Sequence, residues 1–211
     1  MSRLSVVYYS GGEIPHALQK YCLDLLIDSV SAAGGELICV TWEPLETSTP
    51  ITRNIVWPRR FLSHENMYDQ ILAGISESSG DTIALAEHDV LYPSDYCAGM
   101  AQAGDTDLCY NTSIWCMNSR GFFPAMGCHH LSNCCGPRAA LVKGIEGKLE
   151  ESRARGFVDW AEPDGNGITL AHPTVDVRHG RNFTGDRESP NGYSSDIEYW
   201  GSASRYTSLF A

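Results

Sequence analysis

The chain is poor in positive charge. Lysine and arginine together number 15 against 26 aspartates and glutamates, a formal net charge of −11. That deficit excludes a broad basic face for non-specific nucleic-acid binding. It leaves room for a local basic patch, and for anionic ligands whose charge a metal ion balances. Long apolar runs are missing as well: none reaches the ~18 residues needed to cross a bilayer. The opening Met1-Ser2-Arg3-Leu4 runs straight into a strand-like segment, with no basic start, apolar stretch and small-residue cleavage site ahead of it. The expectation is a cytoplasmic protein with no membrane partner. No internal repeat is present, which excludes a solenoid.

Cysteine is not scarce. There are eight, and an even count invites a disulfide framework, but without a secretion signal reduced thiols are expected. Cys22 and Cys39 fall within apolar periodic segments and read as small core residues. A chain of 211 residues with 43% hydrophobic content has material for one large domain or two small ones.

The first half reads as alternating strands and helices. Leu4–Tyr9 is a β-rich run closed by Ser10-Gly11-Gly12. Ile14, Leu18, Tyr21, Cys22, Leu25, Leu26 and Val30 recur at helical spacing, and Gly34-Gly35 ends that helix. Leu37–Trp42 is a second strand, so the order is a βαβ unit with a right-handed parallel crossover. Residues 43–62 are a loop with a short strand at Asn54–Val56, and Arg53, Arg59 and Arg60 make its positive cluster. Ser63 caps a second helix with an apolar face at Met67, Ile71, Leu72 and Ile75. Gly80 precedes the strand Thr82–Ala86, and a short helix starts near Asp95. Further on, Leu108–Met117 reads as a strand, Phe122–Met126 as its return, Pro137–Leu149 as a helix and 159–173 as a loop. Val175–Gly180 is a short strand with a basic end. The segment after Gly185 is polar and aromatic and reads as a mobile cover.

The chemistry concentrates after Thr82–Ala86. A strand buried on both faces runs directly into Glu87-His88-Asp89, and ionisable groups there are costly unless paired. Ligands bind at the carboxyl ends of strands in open α/β sheets, and two carboxylates at that edge suit a hard divalent ion such as Mg²⁺ or Mn²⁺. A solvated loop start or helix cap is the plainer alternative. A second cluster is Asp176-Val177-Arg178-His179-Gly180-Arg181-Asn182, where His179 is a metal or phosphate ligand or a satisfied strand-end histidine. A third is Trp160-Ala161-Glu162-Pro163-Asp164, whose carboxylates suit a general base or merely a polar turn. Cys128, His129, His130, Cys134 and Cys135 have zinc-type donors. No second Cys-x-x-Cys or His-x₃-His completes them, and a substrate-facing loop with buried thiols fits better. No nucleophile motif surrounds these cysteines.

Taken together, Tyr8-Tyr9-Ser10, Met67-Tyr68-x-Gln70-Ile71-Leu72, Glu87-His88-Asp89-Val90-Leu91-Tyr92-Pro93, Tyr110-Asn111-Thr112-x-x-Trp115 and Asp176-Val177-Arg178-His179-Gly180-x-Asn182-Phe183-Thr184-Gly185 resemble small GT-A glycosyltransferases. The likeness is to the phage type that includes the TET-associated enzymes, which glycosylate hydroxymethylated cytosine in phage DNA. It covers most of residues 4–185. It implies an α/β, GT-A-like, Rossmann-related fold with a mixed, mostly parallel sheet flanked by helices. It also implies a nucleotide-sugar donor, a UDP-sugar first, and Mn²⁺ or Mg²⁺ held by Asp89, Glu87 and His179. Tyr9 and Ser10 would lie by the nucleotide base, and Arg59, Arg60, Glu87, His88, Arg178 and Asn182 would complete the donor set. Glu162 and Asp164 are the candidate bases. The implied organisation is one domain over 1–185, with a nucleotide half at 1–93 and an acceptor half at 94–185, then a tail at 186–211. A glycan or small-molecule acceptor is the alternative to DNA, and a non-catalytic zinc- or sugar-binding module is the alternative to an enzyme. A phage-encoded chain would work in the host-cell cytoplasm.

Overall fold

The computed structural model describes residues 3–11, 14–45, 52–58, 61–125, 129–158, 161–180 and 192–210. In chain order the first half contains β1 (Leu4–Tyr9), α1 (His16–Ala32), β2 (Glu36–Thr41), β3 (Arg53–Val56), α2 (His64–Glu77), β4 (Thr82–Glu87), β5 (Val90–Leu91) and α3 (Tyr96–Ala103). There follow β6 (Cys109–Asn111), β7 (Ile114–Asn118), β8 (Gly121–Pro124), β9 (Cys134–Pro137), α4 (Arg138–Arg155), β10 (Asn166–Ile168), β11 (Thr174–Val177), β12 (Asp196–Ile197) and β13 (Gly201–Ser202). Short 3-10 helices occupy Leu131–Asn133 and Ala203–Phe210.

β1 and β2 are buried at all six positions each, as strands covered on both faces must be. They lie in a seven-stranded sheet ordered β10-β6-β9-β4-β1-β2-β3. β1 runs parallel to both β2 and β4, and β9 alone is antiparallel to its neighbours, β4 and β6. A second sheet, ordered β5-β11-β7-β8, grows from the end of β4. α2 packs on β1 closely enough that a Cβ at Gly74 would collide with Val7. The Ser63 Oγ accepts from Asn66 N at 3.0 Å and caps α2, as its position before the apolar face suggested. The mixed, mostly parallel α/β sheet expected from the sequence is the one found.

Four expectations need correction. The single strand over 108–117 is two. Asn111 Oδ1 accepts from Ser113 N at 3.0 Å, and this Asx turn moves the chain from the large sheet, at β6, to the small one, at β7. Cys134 and Cys135, read as part of a loop, begin β9, where buried thiols fit between two strands, and β9 takes in Pro137, read as the start of the following helix. The 159–173 loop contains β10. Finally, the cover beyond Gly185 is packed where it is described. Ile197, Trp200, Tyr206 and Leu209 join Leu18, Leu91, Phe122 and Val175 in one buried cluster, and Trp200 Nε1 donates to Pro173 O at 2.7 Å. Four large apolar side chains within 192–210 supply the burial that its polar composition concealed.

At the amino end of the strands a buried carboxylate ties the sheet together. Glu36 Oε1 accepts from Ser5 Oγ (2.5 Å), Ser79 N (2.5 Å), Ser79 Oγ (2.9 Å) and Gly80 N (3.2 Å). Burial alone would raise this carboxyl, but the hydrogen bonds from Ser5 and Ser79, with the Arg3 charge, outweigh it and hold it below the ordinary glutamate range. A depressed folded value contributes stability above the unfolded value of about 4.3 and loses it as pH falls through the folded value. Glu36→Ala should therefore cost about 2–4 kcal/mol at pH 7, because it orphans several buried donors. Urea melts at pH 7 and pH 4 should show the wild type losing more stability on acidification than the variant.

Candidate metal centre and adjoining cavity

β4 leaves the core at Glu87, and His88-Asp89 turn the chain into β5. β5 pairs antiparallel with β11, Val175 facing Leu91 and Asp176 facing Val90. Val177 N then donates to Asp89 O at 2.8 Å. This register delivers the residues after β11, Arg178 and His179, to the His88-Asp89 turn. One ligand atom from each of His88, Asp89 and His179 lies within 4.8 Å of the others. His179 Nε2 is 3.6 Å from Asp89 Oδ2, with side chains only 1% and 9% exposed.

The electrostatics follow from that burial. Burial pulls His88 below the ordinary imidazole range. Burial would raise Asp89, but the His88 charge and the His179 hydrogen bond and charge outweigh it, leaving the carboxyl low and ionised. Glu87 goes the other way, pushed up by burial and then by the Asp89 charge. Its Oε1 accepts from Tyr9 OH at 2.5 Å. Glu87, expected among the metal ligands, is thus bonded to β1, and His88 stands in the triad instead. Two imidazoles and a carboxylate suit Mn²⁺ or a neighbouring first-row ion better than Mg²⁺, which prefers oxygen alone. His88 Nδ1 is buried and has no hydrogen-bond partner among the described residues. A buried imidazole nitrogen that offers its lone pair and an ionised carboxylate between imidazoles are what a divalent cation would satisfy, so the residues fit one.

Arg178, expected to meet the donor, is buried, and its guanidinium donates to Asp176 Oδ2 at 2.5 Å. Its charge still lowers Asp89. Tyr9 and Ser10 end β1, where Ser10 N donates to Val40 O and Ser10 O accepts from Gln70 Nε2, both at 3.1 Å. Beside them a cavity of about 310 Å³ opens over the ends of β1 and β2, lined by Ser10, Gln19, Thr41, Trp42, Glu43 and Leu45 among others. Its size is at the lower end of the range for small-molecule sites, about 300–1,000 Å³. β1 lies between β2 and β4, so the strand that leads to the cavity and the strand that leads to the triad are two strand spacings, about 10 Å, apart. The cavity walls were not foreseen, because α1 and β2 meet there only in the fold.

Opposite the cavity, Tyr68 OH and Tyr110 OH donate to Ala161 O (3.0 Å) and Pro163 O (2.7 Å). They hold the loop bearing Glu162, which is half-buried, and Asp164, which is exposed. Burial raises Glu162 against the opposing charges of His130 and His129. His129 stacks on Tyr110, ring centroids 4.4 Å apart. Cys134 and Cys135 are buried free thiols and join no metal-type cluster among the described residues. Arg59, Arg60 and Asn182, and with them Arg181, Trp160 and Cys128, lie outside the described residues.

No family model and no curated protein matches the chain. Solved structures do. TarS of S. aureus superposes with a TM-score of 0.52 at 7% identity, over 86% of this chain and 38% of TarS. A nucleotidyl transferase from Methanothermobacter thermautotroptrophicus gives 0.46 at 15% identity, over 81% of this chain and 88% of the other. The mannosyltransferase PcManGT from Pyrobaculum calidifontis, solved with GDP-Man and Mn²⁺, gives 0.49 at 12% identity, over 86% of this chain and 59% of the other. At such identities the TarS match is a likeness of fold, and the two matches below 0.5 are too loose to support more.

Titration with Mn²⁺, followed by calorimetry, should separate the triad from its neighbour. Asp89→Ala and His179→Ala should weaken binding by more than about 100-fold, since even outer-sphere partners are worth about 10–100-fold. Glu87→Gln should stay within about threefold of wild type, the range left to a group that holds Tyr9 and not the ion.

Proposed function

We propose that this chain is a metal-dependent glycosyltransferase that moves a sugar from a nucleotide-sugar donor, a UDP-sugar first among the candidates, to a hydroxyl acceptor. The observation that carries the reading is the buried His88–Asp89–His179 triad at the end of the central strand, near a cavity of small-molecule size, on a GT-A-like fold. A divalent ion bound there supplies Lewis-acid stabilisation of the charge that develops on a departing diphosphate.

The chain's own residues provide the rest. The ends of β1 and β2, with Tyr9 and Ser10, form the floor beneath the nucleoside. Arg178 adds fixed positive charge on the metal side, with Asp176 holding it in one orientation. Glu162 stands on the acceptor side, raised by burial so that it can share a hydrogen bond with a hydroxyl. Asp164 is more exposed and suits the outer part of the acceptor. Arg59, Arg60 and Asn182 remain donor-binding proposals on the strength of the sequence resemblance.

The favoured acceptor, 5-hydroxymethylcytosine in phage DNA, rests on that resemblance alone. A glycan or small-molecule hydroxyl is the alternative. The imidazole-rich donor set is the one feature that favours a third reading, a non-catalytic zinc- or sugar-binding module. No helix among the described residues is long and apolar enough to cross a membrane.

A thermal-shift panel of UDP- and GDP-sugars with and without Mn²⁺ tests the donor. A ligand at 100 times its Kd stabilises the fold by about 2.7 kcal/mol, and the shift should appear for one nucleotide class and require the metal. Transfer to hydroxymethylated DNA, compared with glycan acceptors, then identifies the acceptor class. Stoichiometric tightly held zinc with no donor binding or turnover would replace the enzyme by the binding module.

A further inference from the structure

We infer that His130, oriented by Asp176, takes the proton of the acceptor hydroxyl. The inference rests on the transferase reading and adds to it a residue that the reading leaves without a role.

His130 is held from behind. It precedes the 3-10 helix Leu131–Asn133, and each residue of that helix is anchored. Leu131 is buried in the core with Tyr9 and Leu85. Ser132 O accepts from Tyr92 OH (3.0 Å) and Tyr96 OH (3.2 Å). Asn133 Oδ1 accepts from Thr174 Oγ1 at 2.9 Å. Tyr92 OH in turn accepts from Glu87 N at 3.0 Å, which ties this helix to the metal-bearing turn. A side chain on so fixed a base is preorganised.

The Nδ1 of His130 lies 3.5 Å from Asp176 Oδ2, and the two side chains are 16% and 9% exposed. Asp176 Oδ2 also takes the Arg178 guanidinium, whereas Asp176 Oδ1 is buried with no hydrogen-bond partner among the described residues. A side-chain oxygen with an unused acceptor position beside an imidazole favours the tautomer with its proton on Nδ1. A small rotation closes that hydrogen bond, and catalytic hydrogen bonds commonly tighten only when substrate is present. Nε2 then carries the lone pair. His129, its neighbour in the chain, stacks on Tyr110, whose OH donates to Pro163 O at 2.7 Å, so this segment lies beside the loop that carries Glu162.

The step balances. The acceptor oxygen forms its bond to the anomeric carbon as its proton passes to His130 Nε2. The bond from that carbon to the diphosphate breaks, and the electron pair leaves on the diphosphate. Asp176 stabilises the imidazolium without taking the proton, and is a positioning residue. Glu162 orients the hydroxyl.

The test uses donor hydrolysis, in which water is the accepting hydroxyl, with Mn²⁺ and UDP- or GDP-sugars on the full chain. His130→Gln and His130→Ala should lower kcat by about 100-fold or more, the usual range for a lost general base. Donor affinity, read by thermal shift, should stay within about threefold. Added imidazole should restore part of the His130→Ala rate. Asp176→Asn should lower kcat by about tenfold, and by nothing further in a His130→Ala background, as expected of groups acting as a unit. Glu162→Gln should lose less than His130→Gln. A His130→Gln enzyme with kcat near wild type overturns the inference and leaves the transferase reading intact, as does a loss in which donor affinity falls in step with rate. A wild-type chain that neither binds nor hydrolyses any donor overturns the transferase reading, and the role of His130 falls with it.

Discussion

One backbone hydrogen bond, from Val177 N to Asp89 O, joins the two sheets where the chemistry is concentrated. The large sheet brings β4 to its end, and the small sheet brings β11 to its own. The β5–β11 ladder fixes one against the other, with Asp176 opposite Val90. A slip of one residue in that ladder would turn every β11 side chain to the other face. His179 would leave Asp89, and Asp176 would leave His130. The tail from 192 to 210 helps to hold the register. Trp200, Tyr206 and Leu209 cover the cluster that contains Val175 and Val177, so apolar burial far from the metal ligands keeps them in place.

The two ends of the central strands treat buried carboxylates in opposite ways. Glu36, at the amino end, is surrounded by donors from Ser5, Ser79 and Gly80. A carboxylate so completely satisfied is structural. At the carboxyl end, one buried oxygen of Asp176 and one buried nitrogen of His88 have no hydrogen-bond partner among the described residues. Such groups cost free energy in an isolated fold. Three acids, Glu87, Asp89 and Asp176, are crowded there with Arg178 and three histidines, and Glu87 responds by holding its proton more tightly. Among the described residues, buried polar atoms of this kind gather at the carboxyl ends of the strands, the edge where open α/β sheets generally bind ligands.

The sequence carried the local signals well. Continuous apolar runs marked β1, β2 and β4, helical periodicity marked α1 and α2, and Ser63 marked a cap. Asp89 and His179 could be named because each follows a buried strand directly, and the structure brings them together. Glu87 and His88 could not be told apart, since their difference lies in which way the chain turns after β4. That turn is decided by Tyr9 OH reaching Glu87 from the neighbouring strand. Asp176 lies between Val175 and Val177 in a strand, and period-two alternation puts it on the opposite face from them. Its partner His130, 46 positions earlier in the chain, is visible only once β11 is in register. The packed tail was hidden for a similar reason: its four anchoring side chains are spaced among serines and glycines, and nothing local says what they will meet.

The arginines bear on the acceptor. In the described part of the chain most are engaged by the protein itself. Arg138 donates to the carbonyls of Ile75, Ser78 and Gly80 at the end of α2. Arg153 pairs with Glu65 and Asp69, Arg155 with Glu151, Arg53 with Glu77, and Arg178 with Asp176. Lys20 and Lys148 pair with Asp24 and Glu151. Neutralised charges of this kind make a poor track for a phosphate backbone, whose binding depends on cations free to displace counterions. A DNA acceptor would therefore draw its phosphate contacts from the remaining basic residues, Arg59, Arg60, Arg181 and Arg187 among them, which flank the cavity and triad segments in sequence. A neutral hydroxyl acceptor makes no such demand. The salt dependence of acceptor binding thus distinguishes the two physically: a steep decline with ionic strength belongs to a polyanion, and a flat response to a sugar or other uncharged hydroxyl.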